Sequence, residues 1–377
     1  SVLMSEVDYL ALAGAGVQKL RPYEPGKPVE ALERELGISD IIKLASNENP
    51  LGPSAAVDAA IAAASQDLAR YPDGSGFALK AALAANLEVD TAQITLGNGS
   101  NDVLELMARV FLAPGRNAVC SAHAFAVYPL ATLAAGAELR EVPALAADAA
   151  QAYGHDLNAF ADYIDDNTGL VFIANPNNPT GTWVDPDALQ ALLKRVPKRV
   201  LVILDEAYCE YQDQSQRPDA VALMREHENL VVTRTFSKVY GLAALRIGYA
   251  LSNPQVADLL NRVRQPFNNN SLALAAAQAA LQDQAHVAAS VALNDEGMAY
   301  FHDSLPALGL SILPSQANSV CVDFARPAQS IYQALLHQGV IVRPLDGYKL
   351  PQHLRITIGT PDENRRCVEA LKTVLAE

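Results

Sequence analysis

The sequence predicts an α/β fold in which a large, mostly parallel sheet is covered by helices on both faces, with a smaller α/β unit built from both chain ends. Three observations predict it. Between about residues 50 and 270, short apolar runs rich in β-branched residues alternate with longer stretches whose apolar residues recur at helical spacing. The short runs are continuously apolar, as strands buried on both faces require. After about residue 270 the texture changes to alanine-rich helix and then to further strands. These features divide the chain into an N-terminal arm (1–49) that joins the small unit, a large unit (50–270) and a small C-terminal unit (271–377). A length of 377 residues accommodates two such cores.

The elements follow in order. Strands are expected at Ile94–Leu96, Ala118–Cys120, Leu170–Ala174, Val200–Leu204, Leu230–Thr233 and Ile247–Leu251. Between the first two, Val103, Leu104, Met107, Val110 and Phe111 form one stripe of a helix over Ser100–Leu112. Asp185 can cap a helix that has Pro186 at its first position and Leu189, Leu192 and Leu193 on its inner face. Alanine-rich Leu272–Leu281 leads into a second helix reaching Tyr300. Strands are then expected at Ser319–Phe324, Val340–Arg343 and Leu354–Ile358. The last alternates, with Leu354, Ile356 and Ile358 on one side and Arg355 and Thr357 on the other. Thr360 and Glu363 form a capping box for a final helix that starts at Pro361.

Composition narrows the function. The 42 acidic side chains against 28 basic ones leave a net charge of −14, which disfavours general nucleic-acid binding and adsorption to anionic membranes. No apolar run reaches the roughly 18 residues of a membrane span, and residues 1–20 lack the pattern of a secretory signal. Cys120, Cys209, Cys321 and Cys367 lie far apart, a spacing that suits neither a zinc site nor a disulfide framework. The expectation is a soluble, cytoplasmic protein of enzyme size.

Four segments could carry chemistry, each directly after an expected strand. Asn175-Pro176-Asn177-Asn178-Pro179-Thr180-Gly181 has ordinary turn composition. Asp205 opens Asp205-Glu206-Ala207-Tyr208 at a strand's carboxyl end, where open sheets bind ligands; such a carboxylate can be solvated, cap a helix or partner a buried cation. Thr235-Phe236-Ser237-Lys238, with Arg246 eight residues on, reads either as a solvated turn or as a phosphate holder beside a nucleophilic amine. Gly97-Asn98-Gly99-Ser100-Asn101 opens a helix whose N-terminus could meet an anion, although it matches neither GxGxxG nor a Walker loop. The histidines, among them His155, His227 and His302, show no metal-ligand spacing, so no metal is expected.

Taken in order, N-P-N-N-P-T-G, D-E-A-Y and T-F-S-K with its following arginine resemble the fold-type-I pyridoxal-phosphate aminotransferases. The strings Leu44 to Pro53, Tyr71-Pro72-Asp73-Gly74 and Leu354 to Thr360 are similar to the histidinol-phosphate aminotransferase branch, and the resemblance runs from about Arg21 to the C-terminus. It implies that Lys238 holds pyridoxal 5′-phosphate covalently and then moves a proton from the substrate Cα. Asp205 would pair with the ring nitrogen, and Tyr208 and Asn178 would bond the ring oxygen. Ser100, Asn101, Thr235, Ser237 and Arg246 would hold the phosphate, and Phe125 would stack on the ring. Tyr71 would reach the phosphate of a neighbouring subunit, which implies a homodimer. Arg355 would bind the substrate anion, helped by Arg343 and Tyr23.

The implied reaction is transamination between L-histidinol phosphate and 2-oxoglutarate in histidine biosynthesis. Aromatic amino-acid transamination and threonine-phosphate decarboxylation share the motifs. Phe125 stands where many relatives carry tyrosine, and Ala244 where glycine is common. His123, beside Phe125, is expected to be structural.

Overall fold

The computed structural model describes residues 6–377. Among these, a seven-stranded sheet forms in the spatial order Ile94–Gly97, Gly248–Leu251, Leu230–Thr235, Leu201–Asp205, Thr168–Ala174, Asn117–Ser121 and Glu138–Val142. Pairing is parallel except for Gly248–Leu251, which runs antiparallel to both neighbours. The period of two along each strand feeds two cores. Val171, Ile173, Val202 and Leu204 face one side, with the Leu189–Leu193 stripe of the Pro186–Arg195 helix. Leu170, Phe172, Leu201 and Ile203 face the other, with Val103, Leu104 and Met107 of the Ser100–Phe111 helix.

A four-stranded antiparallel sheet, in the order Arg343–Pro344, His353–Thr357, Ser319–Asp323 and Ser311–Ile312, carries the smaller core. Val320, Val322, Leu354 and Ile356 pack there against Leu371 of the final helix and against Ile42 and Leu44 from the other end of the chain. Ile42–Lys43 also pairs in parallel with Val340–Ile341. The expected capping box at Thr360 and Glu363 is present.

Three expectations change. Val340–Arg343 is not one strand: Val340–Ile341 pairs with the N-terminal segment, whereas Arg343–Pro344 joins the small sheet beside Leu354 and Arg355. The Glu138–Val142 strand escaped the sequence because it is an edge strand of mixed composition, partly exposed and paired on one side only. The Ser271–Gln282 helix, expected to begin the C-terminal unit at 271, buries Ala273, Ala276, Ala277 and Ala280 in the large core. Its small side chains permit that close approach. No helix among the described residues is long and apolar enough to cross a membrane.

Candidate active site

The carboxyl ends of the parallel strands line a cavity of about 280 Å³. Four cations, Lys238, Arg246, Arg343 and Arg355, face it with a single carboxylate, Asp205, although the chain as a whole carries −14. Tyr23, Ser100, Asn101, Phe125, Asn178, Tyr208, Thr235 and Ser237 also line it. Every expected site residue except Tyr71 is therefore brought together. Tyr71 is 81% exposed and stacks on Phe267 with ring centroids 4.6 Å apart, away from the cavity of its own chain.

Asp205 ends the Leu201–Asp205 strand and is only 5% exposed. Its Oδ2 accepts from the Tyr128 hydroxyl at 2.6 Å and its Oδ1 from the Ala207 N–H at 3.3 Å. Burial raises its carboxyl above the usual range, against the opposing effect of these hydrogen bonds. Among the described residues no cation forms an ion pair with it. A ligand bearing a positive charge would relieve that burial.

The turn after Leu230–Thr235 presents Lys238. The Ser237 N–H bonds to Thr235 Oγ1 at 2.9 Å, and the Gly241 N–H closes on the Lys238 carbonyl at 3.0 Å. Lys238 Nζ donates to the Ser46 carbonyl at 3.3 Å and lies 5.6 Å from the centre of the Tyr208 ring. The amine has no carboxylate partner among the described residues. The Tyr208 hydroxyl accepts from Asn47 Nδ2 at 3.1 Å.

Arg246 donates to Ser237 Oγ at 3.2 Å and to the Ala243 carbonyl at 3.0 Å, which leaves the rest of its fork facing the cavity near Ser100. It packs so closely on Gly99 that a Cβ there would lie 2.3 Å from its Nη2, and Gly99 has φ +81°. Glycine alone suits this cradle.

On the opposite wall Arg355 is 6% exposed. It donates to Asn178 Oδ1 at 2.5 Å and to the Ala45 carbonyl at 2.5 Å, while its Nε has no partner among the described residues. Both acceptors are neutral, so the guanidinium charge is left uncompensated, and burial pulls its pKa down. The Arg343 guanidinium lies over the Tyr23 ring at 5.5 Å. His123 points elsewhere: its Nδ1 is 2.7 Å from the Tyr348 carbonyl and its ring meets Tyr153 edge-on.

These residues suit pyridoxal 5′-phosphate. The uncompensated Asp205 matches a protonated ring nitrogen, and the Gly99–Arg246 cradle at a helix N-terminus matches a phosphate. The sequence did not single out Tyr128 or Asn47, or the carbonyls of Ala45 and Ser46. Tyr128 lies three residues after Phe125, just inside the helix that begins at Val127, and Asn47 lies in the string that begins at Leu44. No group of three or more His, Cys, Asp or Glu residues among those described could hold a metal ion.

A family model for class I and II aminotransferases matches residues 39–371. Histidinol-phosphate aminotransferase 2 of Pseudomonas aeruginosa is 60% identical over 371 residues, covering 98% of this chain and 99% of that protein. Histidinol-phosphate aminotransferase 1 of Nitrosococcus oceani is 52% identical, covering 99% of this chain and all of that protein. Among solved structures, histidinol-phosphate aminotransferase of Sinorhizobium meliloti in complex with pyridoxal-5′-phosphate superposes with a TM-score of 0.87 at 30% identity, covering 100% of this chain and 99% of that one.

Proposed function

The chain belongs to the class I and II aminotransferases, and from that premise we propose that it transfers the amino group of L-histidinol phosphate to 2-oxoglutarate in histidine biosynthesis, with pyridoxal 5′-phosphate as cofactor. One observation carries the reading. The cavity sets an amine, Lys238, and a buried carboxylate, Asp205, against a guanidinium with no acidic partner among the described residues, Arg355.

When bound, pyridoxal phosphate supplies an electron-poor ring that accepts charge from the substrate Cα. Lys238 would hold the cofactor, and its freed amine would move the substrate Cα proton. Asp205 would accept from the ring nitrogen. Tyr208 and Asn178 donate to the ring oxygen; Asn178 turns its carbonyl to Arg355, which leaves its N–H groups as donors. Ser100, Asn101, Thr235, Ser237 and Arg246, which line the cavity together, would hold the phosphate, and Phe125 would cover a ring face. Arg355, with Arg343 and Tyr23, takes the phosphate of histidinol phosphate and then a carboxylate of 2-oxoglutarate or of the glutamate it becomes. The arm (1–49) and the C-terminal unit supply this anion site to the large unit.

The exposed Tyr71 supports a homodimer in which each chain lends this residue to its partner's phosphate site. Mixing Lys238→Ala with Tyr71→Ala subunits tests it: hybrid dimers that regain activity support the exchange, and none regaining it removes it. We place the enzyme in the cytoplasm, with small-molecule donors and acceptors. The reaction itself is tested by mixing holoenzyme separately with histidinol phosphate, glutamate, phenylalanine, tyrosine and threonine phosphate. Loss of the cofactor's visible band with histidinol phosphate and glutamate is expected. Conversion by the aromatic amino acids alone, or release of carbon dioxide from threonine phosphate, overturns the proposal.

A further inference from the structure

Tyr128 has no role in the chemistry described so far, yet its surroundings single it out. It lies on the Val127–Ala134 helix, is fully buried, and stacks on Phe172 with centroids 4.6 Å apart and planes 11° apart. Phe125 meets it edge-on at 5.8 Å. Two aromatic rings therefore fix its direction, and phenylalanine would satisfy that packing equally well. The hydroxyl needs another explanation. A buried O–H without a partner is destabilising, and this one donates to Asp205 Oδ2 at 2.6 Å.

We propose that Tyr128 is a positioning residue: its hydrogen bond holds the Asp205 carboxylate in one orientation and thereby tunes the ring nitrogen of the bound cofactor. The inference rests on the reading of Asp205 given under the proposed function. An ionised carboxylate can only accept, so the phenol is the donor. Burial and the adjacent carboxylate raise the phenol's pKa well above its ordinary value, so it keeps its proton. The other titratable groups facing the pair are Cys120 from the Asn117–Ser121 strand, Glu206 and Tyr208 from the segment after Asp205, and Lys238 across the cavity. Glu206 is held by Arg234 at 2.9 Å, and Tyr128 donates to Asp205 Oδ2 at 2.6 Å, with the Thr233 hydroxyl also facing that carboxylate. One short segment, Phe125 to Tyr128, thus supplies both a residue for the ring face and an anchor for the carboxylate beneath it.

The test is a double-mutant cycle on the holoenzyme with Tyr128→Phe, Asp205→Asn and the double variant. It measures cofactor affinity, the half-reaction with glutamate and the pH midpoint of the cofactor's visible band. Thermal unfolding of the cofactor-free proteins serves as the folding control. Tyr128→Phe alone is expected to slow the half-reaction about tenfold, the scale of one charge-assisted hydrogen bond, and to move the midpoint by about one pH unit. In the Asp205→Asn background the same substitution should change either quantity by less than about twofold. An effect that persists undiminished in that background overturns the proposal, because Tyr128 then acts other than through Asp205. An impaired Asp205→Asn enzyme beside an unaltered Tyr128→Phe enzyme overturns it as well. If Asp205→Asn itself is unimpaired, the underlying reading of Asp205 falls, and the role of Tyr128 falls with it.

Discussion

On one wall of the cavity, Asp205, Ser237, Lys238 and Arg246 ride on or directly beside three neighbouring strands of a single sheet. On the other wall, Arg355 is tied to Ala45 and Thr357 to Asn47, contacts between residues 310 apart in sequence. The first wall needs only that a strand end where its motif begins. The second exists only after both ends of the chain have met, since Asn318 also holds the Asn47 carbonyl at 2.8 Å and Asn47 reaches across to Tyr208. In the proposed reading, the chemistry that must not vary rests on local backbone geometry, and the part that meets different substrates rests on long-range closure.

Replacing Lys238 with alanine strikes the first wall hardest. Turnover should fall by about four orders of magnitude with loss of the cofactor's visible band. Normal turnover in that variant removes Lys238 from the mechanism.

His155 supports the same wall from behind. Its Nε2 donates to the carbonyl of Ala174, the last residue of its strand, at 2.8 Å, and burial pushes the imidazole down to about 4. The native protein therefore binds fewer protons than the unfolded chain between about pH 6.5 and 4. His155 contributes stability that is complete above about pH 6.5 and is lost as pH falls toward 4, on the order of 3 kcal/mol in all. Urea unfolding across that window should show a slope that flattens in His155→Asn. Identical slopes in the two proteins would remove this contribution.

The second wall is probed by Arg355→Ala. In the proposed reading one guanidinium serves both substrates, so kcat/KM for histidinol phosphate and for glutamate should each fall about 30-fold or more. A loss confined to one substrate would mean that the walls do not share a single anion site. The smallest effect is expected from Asn47→Ala, which cuts the tie between the walls and should lower kcat/KM about 5–10-fold in steady-state kinetics. An unchanged value would show that the two walls hold their register without it.

The first wall was almost wholly legible in the sequence. Asp205, Asn178 and Lys238 each follow an apolar run, and a strand end predicts where such residues gather. Arg355 was legible through alternation, which turned it away from Leu354 and Ile356. Tyr128 and Asn47 were not, although Tyr128 lies three residues after Phe125 and Asn47 lies within the string Leu44 to Pro53. A tyrosine at helical spacing reads as core, and only the position of Asp205 relative to that helix shows where its hydroxyl goes. The edge strand Glu138–Val142 and the placement of the Ser271–Gln282 helix were missed for a related reason: mixed or uniformly small side chains leave no periodic signal.

From the sequence came the fold class, the strand ends that carry the cofactor motifs, and the −14 charge that seemed at odds with anionic ligands. The structure was needed to see how an acidic chain concentrates four cations around one buried carboxylate. It was also needed to see which phenol and which amide brace the site. Periodicity and spacing are local properties of a chain, carried over a few residues. A hydrogen bond between residues 77 or 310 positions apart depends on how whole elements pack, and no local pattern encodes it.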